Sequence, residues 1–92
     1  MKNTKRFTQI FKVFSNINRV RIVLILAKKE AMSVSELAEE LSISFKATSK
    51  HLIILDQFDV VNSKGKSSHV FYSLNRDMSK DLKSVISTFS ED

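Results

Sequence analysis

Lys46 and Lys50 stand one helical turn apart in a stretch, residues 42–55, with no other charged side chain. Lys64, Lys66 and Arg76 are the only charged side chains of residues 60–76. Two stretches therefore hold five cations and no acid, while Glu30, Glu36, Glu39 and Glu40 crowd the segment just before them. Cations so placed can neutralise phosphates and release the counterions of a duplex. Short polar side chains beside them, Ser44 and Ser49, are free to reach base edges. This spacing suits binding to double-stranded DNA. A solvated helix face and a polar hairpin tip would carry the same charges, so the underlying elements must decide.

Other chemistries find little support. With no Cys, disulfides, thiolate zinc and a Cys nucleophile are excluded together. Asp77 and Asp81 lie one turn apart, but two carboxylates alone are a poor transition-metal site. The two His, His51 and His69, do not make a ligand set by themselves. No Gly-rich phosphate loop, Ser/His/Asp set or H-E-x-x-H motif is present. Glu39 and Glu40 are adjacent and face different sides of a helix. No enzyme, metal or cofactor is expected.

The elements are read from periodicity, because one Gly and no Pro leave little punctuation in 92 residues. Phe7, Ile10, Phe11, Phe14 and Ile17 give a first helix, about 7–15. Asn16 caps a second, with an inward stripe of Val20, Val23, Leu24 and Ala27 widened by Ile22, Ile25 and Leu26. Ser33 and Glu36 fit a capping box, with Met32 stapled onto Leu37. The helix that follows turns Leu37, Ala38 and Leu41 inward. Ser44 caps the next, about 44–56, with Thr48, Leu52 and Leu55 inward and Lys46 and Lys50 opposite.

After Asp56 the period changes. Val60 and Val61 begin a β-prone run, and residues 64–68 hold the only Gly, Gly65, as a hairpin tip would. Val70, Tyr72 and Leu74 alternate with His69, Phe71 and Ser73 as a half-buried strand. A last helix, 76–89, follows Asn75 and carries Met78, Leu82, Val85, Ile86 and Phe89. The fold is mainly α with a β-hairpin, in the order helix-helix-helix-helix-hairpin-helix: a winged helix-turn-helix filling residues 1–92 as one domain. The longest apolar run, residues 22–27, is far too short to span a membrane. The basic start, Met1 to Arg6, is not followed by a signal-type core, so a cytoplasmic home is expected.

Leu37-Ala38-Glu39-Glu40-Leu41, then Ser44, then Ser49-Lys50-His51-Leu52 with Leu55, resembles the ArsR-type (arsenic-repressor) winged-helix regulators. Asn18-Arg19-Val20-Arg21-Ile22 is similar to the family's Thr-Arg-Leu-Arg-Ile segment, and residues 69–74 resemble its second wing strand. The likeness spans about residues 14–74. It implies a homodimeric transcriptional regulator, usually a repressor, with the second motif helix in the major groove and the wing, 62–70, on flanking backbone or minor groove. Its first and last helices would form the dimer interface. The chain departs from the pattern at Asn16-Ile17, where Asp-Pro is usual, and at Asp59, where a Gly usually ends the recognition helix. Gly65 also lies further from Tyr72 than the usual wing Gly. The family's Cys metal ligands are absent, so metal sensing is not carried over.

The DNA-contact candidates are Ser44, Lys46, Ala47, Ser49, Lys50 and His51 on the recognition helix, and Lys64, Lys66, Ser67 and Ser68 in the wing. Arg19 and Arg21 are secondary, since ion pairs with acids would also explain them. Phe45 is expected to pack inward against Leu41, the alternative being contact with a thymine methyl. Phe7, Ile10, Phe11 and Phe14, with Leu82, Val85 and Phe89, offer an apolar surface that a second copy could cover. The same side chains could instead close the protomer's own core. The competing function is a winged-helix module that binds another protein and not DNA.

Overall fold

In the computed structural model, residues 4–90 are described. They form α1 (Thr4–Val13), α2 (Ile17–Lys28), β1 (Met32–Ser33), α3 (Val34–Leu41), α4 (Phe45–Gln57), β2 (Val61–Lys66), β3 (His69–Leu74) and α5 (Lys80–Phe89). The sheet is antiparallel in the order β1-β3-β2. The two-residue β1 was not expected. Met32 pairs with Tyr72 and Ser33 with Phe71, which ties the wing to the start of α3.

Local chemistry sets the helix starts. Asn16 Oδ1 accepts from the amides of Asn18 and Arg19 at 2.9 and 3.2 Å, opening α2. Ser33 Oγ accepts from the Glu36 amide at 3.1 Å, and Glu36 Oε1 from the Ser33 amide at 2.8 Å, completing the capping box of α3. Ser44 Oγ accepts from the Ala47 amide at 3.0 Å, opening α4.

Both motif helices end alike, through a residue in left-handed conformation. Ser42 has φ 59° and Asp59 has φ 61°. The amide after each reaches back to the helix: Ile43 to the Ala38 carbonyl at 3.2 Å, and Val60 to the Leu55 carbonyl at 2.9 Å. Asp59 thus takes the geometry for which Gly is the usual choice.

The core lies between α2, α3, α4 and the base of the wing. Ile22, Val23, Leu26, Leu37, Leu41, Leu52, Leu55, Val60 and Val61 are buried in it, and Ile10 and Leu82 bring in the terminal helices. Thr48 is also fully buried, its hydroxyl satisfied by donating to the Ser44 carbonyl at 2.8 Å. In α2 the buried face is Ile22, Val23 and Leu26; Ala27 is exposed, and Val20 and Leu24 are only half-buried. An almost wholly apolar helix leaves the phase of its stripe open, and the neighbours choose it.

Three further expectations are corrected. Gly65 is not the wing tip. It sits within β2 opposite Val70, and the turn is Ser67–Ser68, with φ 53° and 68°. A two-residue hairpin turn with positive φ at both positions matches the twist of its strands, and that geometry fixed the register. The last helix begins at Lys80, not at 76, so Asp77 and Met78 precede it. Asn75 closes a local turn and not the helix start: its Oδ1 accepts from the Asp77 amide at 3.0 Å, while its Nδ2 donates to the Asp59 carbonyl at 2.9 Å. Ser79 precedes α5 instead. Finally, α1 runs Thr4–Val13 and so ends before Phe14.

α1 and α5 are clamped together. Arg6 Nε donates to Asp81 Oδ2 at 3.0 Å and Arg6 Nη2 to Ser79 Oγ at 3.1 Å, while the guanidinium lies 5.7 Å from the Phe58 ring centre. Bonding from Arg6 first, then Ser79, holds the Asp81 carboxyl down at about 2. Phe14 and Phe89 meet with tilted rings, centres 5.3 Å apart, closing the other end of the pair. No helix among the described residues is long and apolar enough to cross a membrane.

Candidate nucleic-acid interface

α4 turns Thr48, Leu52 and Leu55 into the core, and this fixes what its opposite side presents. Lys46 and Lys50 are exposed there, with Ser44 exposed at the helix start. Ala47, Ser49 and His51 flank the cations and are half-buried. Six candidates of the recognition helix therefore share one short element held by its buried face. Its free first-turn amides add a site suited to a phosphate oxygen.

His51 is constrained from the side of α2. Arg19 Nη1 lies 3.2 Å from His51 Nδ1. A guanidinium can only donate, so Nδ1 is the acceptor and the ring proton sits on Nε2. Burial, and then the Arg19 charge, push the His51 pKa below its ordinary value. Arg19 itself is anchored by Nε to the Val13 carbonyl at 2.7 Å and by Nη2 to the Lys12 carbonyl at 3.4 Å. Arg21 bonds the carbonyls of Leu41 and Glu40, both at 3.3 Å, at the end of α3. The two arginines are thus held by backbone carbonyls, not by acidic side chains. They brace the motif.

The wing divides its candidates. Ser67 and Ser68 form the tip and are exposed. A cleft of about 240 Å³ is lined by Ser68, His69, Val70 and Tyr72 of the wing, by Phe45 and Ser49 of α4, and by residues 33–35 at the start of α3. Lys64 and Lys66, two residues apart in β2, lie on the other face, around a second cleft with Glu30, Ala31 and Phe71. The structure therefore brings Ser68 to the recognition helix and keeps the two wing lysines away from it. Strand alternation could have shown this, because Val70 and Tyr72 pair with Gly65 and Ser63, while Phe71 pairs with Lys64.

Phe45 is 57% exposed at the first position of α4 and does not pack under Leu41. Ile53, 50% exposed on the same helix, carries no charge to mark it in the sequence. Among the described residues no group of three or more His, Cys, Asp or Glu could hold a metal ion.

The fold and this surface define a winged helix-turn-helix protein that binds DNA. The family model "Bacterial regulatory protein, arsR family" matches residues 16–63, from the cap of α2 into β2. The chain belongs to that family and is a DNA-binding transcriptional regulator, not an enzyme. It is 33% identical over 85 residues to the transcriptional activator HlyU of Vibrio cholerae, covering 92% of this chain and 75% of that protein. It is 36% identical over 72 residues to the transcriptional repressor SdpR of Bacillus subtilis, covering 78% and 79%. The solved structure of HlyU from Vibrio cholerae superposes with a TM-score of 0.78 at 31% identity, covering 95% of this chain and 90% of that one. The repressor BigR of Xylella fastidiosa shares the fold, with a TM-score of 0.77 at 22% identity over 95% and 82% of the two chains.

Proposed function

We propose that the protein is a homodimeric repressor that lays α4 in the major groove of each half-site and sets the wing on the flanking backbone or minor groove. The observation that carries this is the outward side of α4: Lys46 and Lys50 exposed, Ser44 and Ser49 between cap and cleft, and no acid from residue 42 to 55. Ser44, Lys46 and Ser49 reach bases or the first phosphate. Lys50 and His51 position the backbone. Ser67 and Ser68 at the wing tip bond phosphate oxygens, and Lys64 and Lys66 add attraction from the outer face of the wing.

A second copy would bind through the terminal helices. Phe7 and Phe11 lie along α1 with ring centres 6.3 Å apart, and are 41% and 60% exposed. Phe14, Val85 and Phe89 are half-buried beside them, whereas Ile10 and Leu82 are spent within the protomer. Two-fold pairing of such a face buries apolar surface on both copies and gives two recognition helices for a pseudo-palindromic site. Relatives named as an activator and as a repressor are both similar to this chain over most of its length. Repression needs only that the dimer occupy its site, which this domain can do alone. It would act in the cytoplasm, where its DNA lies.

Selection of bound sequences from a random duplex pool tests the reading. The expected product is a pair of inverted half-sites about one helical turn apart, bound less tightly as salt rises. Failure to enrich any duplex at low salt would overturn it.

A further inference from the structure

Phe45 opens α4 with more than half its ring in water, beside Ser49 and between the lysines of the helix and the tip of the wing. Leaving an aromatic ring wet gives up the free energy of burying it. The ring carries no charge and no hydrogen-bonding group, so it cannot hold a phosphate. It stands at the N-terminal end of the recognition helix, where base edges are read. The one apolar group that a B-form major groove displays is the 5-methyl of thymine. Other exposed apolar side chains are placed differently: Phe7 and Phe11 belong to α1, Ile17 opens α2, and Ile53 lies two turns further along α4.

We propose that Phe45 is a specificity-determining residue that packs on a thymine methyl in each half-site. Val70, 45% exposed, lines the same cleft from the wing side. Phe45 thus selects thymine by shape, while Ser49, one turn on, bonds a neighbouring base edge. The inference rests on α4 entering the major groove, and the test separates the two.

Thymines of a selected duplex are replaced one at a time by deoxyuridine, which removes only the methyl. At constant salt, wild type is expected to lose about fourfold in affinity at one position per half-site, the burial worth of one methyl. Phe45→Ala should bind the parent duplex more weakly and be indifferent to the methyl at that position. Phe45→Gln, a second and polar variant, must show the same indifference. Equal methyl sensitivity in wild type and variants, or none at any thymine, would overturn the role of Phe45 while leaving groove binding intact. Absence of any selected duplex would overturn both.

Discussion

Arg19 of α2 donates to Nδ1 of His51 on α4 across 3.2 Å, and the same guanidinium holds the carbonyls that end α1. One side chain therefore joins the end of a terminal helix to the recognition helix. The contact requires a neutral imidazole, because a protonated Nδ1 would set two donors against each other.

A pH dependence of known sign follows. The folded His51 pKa is depressed below 6.5, by burial and then by Arg19. The unfolded chain binds that proton more readily, so the contribution of His51 is fully present above 6.5 and is lost as pH falls through the lower folded value. Urea midpoints at pH about 7.5 and about 5 should differ more for wild type than for His51→Gln, which stays neutral and can still accept from Arg19. Equal pH differences in the two proteins would show that His51 is not the group titrating.

Asp81 supplies the opposite end of the scale. Its carboxyl is held at about 2 by Arg6 and Ser79, against an ordinary value of 3.8. A depressed carboxylate stabilises above 3.8 and loses that contribution as pH falls through about 2. Asp81→Asn should weaken the docking of α5 on α1 near neutrality. Its unfolding midpoint should then fall less than that of wild type on acidification to pH about 2.5.

The helix-turn-helix was legible because each boundary there has a local cause. Asn16, Ser33, Glu36 and Ser44 are caps whose chemistry needs no tertiary partner, and Thr48, Leu52 and Leu55 mark a face unaided. The misses arise where the deciding partner is remote in sequence. Asn75 opens only a local turn through Oδ1, its Nδ2 is held by the remote Asp59 carbonyl, and α5 starts later. β1 exists only because β3 passes beside it. For the site, charge marked Lys46 and Lys50, but it could not tell that Lys64 and Lys66 face away from α4, nor that Phe45 stays exposed.

Gly65 and the true turn give a stability test. Gly65 lies in a strand without positive φ, and an added Cβ would meet only the His69 carbonyl oxygen, at an ordinary 3.9 Å. Gly65→Ala should therefore be tolerated, or stabilise by about 0.5–1 kcal/mol. Ser67→Asn together with Ser68→Gly should raise Tm by roughly 4–8 °C, since relieving left-handed Ser geometry is worth about 1 kcal/mol in a domain of this size. A fall in Tm for Gly65→Ala in a thermal melt would restore Gly65 as a turn residue.

Lys50 separates attraction from reading. It is exposed and one turn from Lys46, with no acid between residues 42 and 55 to pair with it. Lys50→Ala should weaken binding to all duplexes alike and lower the slope of log affinity against log salt by about two for the dimer, about one for each copy of Lys50. Anisotropy titrations on selected and scrambled duplexes at several salt concentrations measure both. Loss confined to the selected duplex would place Lys50 on a base instead of a phosphate.

The terminal helices carry the assembly prediction. Phe11 is 60% exposed, so replacing it removes little from the protomer's own core. Phe11→Ser should leave the protomer folded, with Tm lowered only by the lost stabilisation of dimerisation, yet shift sedimentation equilibrium from dimer to monomer. Affinity for a two-half-site duplex should then fall far more than affinity for a single half-site, because the monomer loses the second, linked binding event. Ile10→Ala acts through a different cause. Ile10 is fully buried, and its truncation should unfold the protomer by about 2–5 kcal/mol whatever the oligomeric state. If Phe11→Ser sediments as wild type does, the second copy must pair through another face.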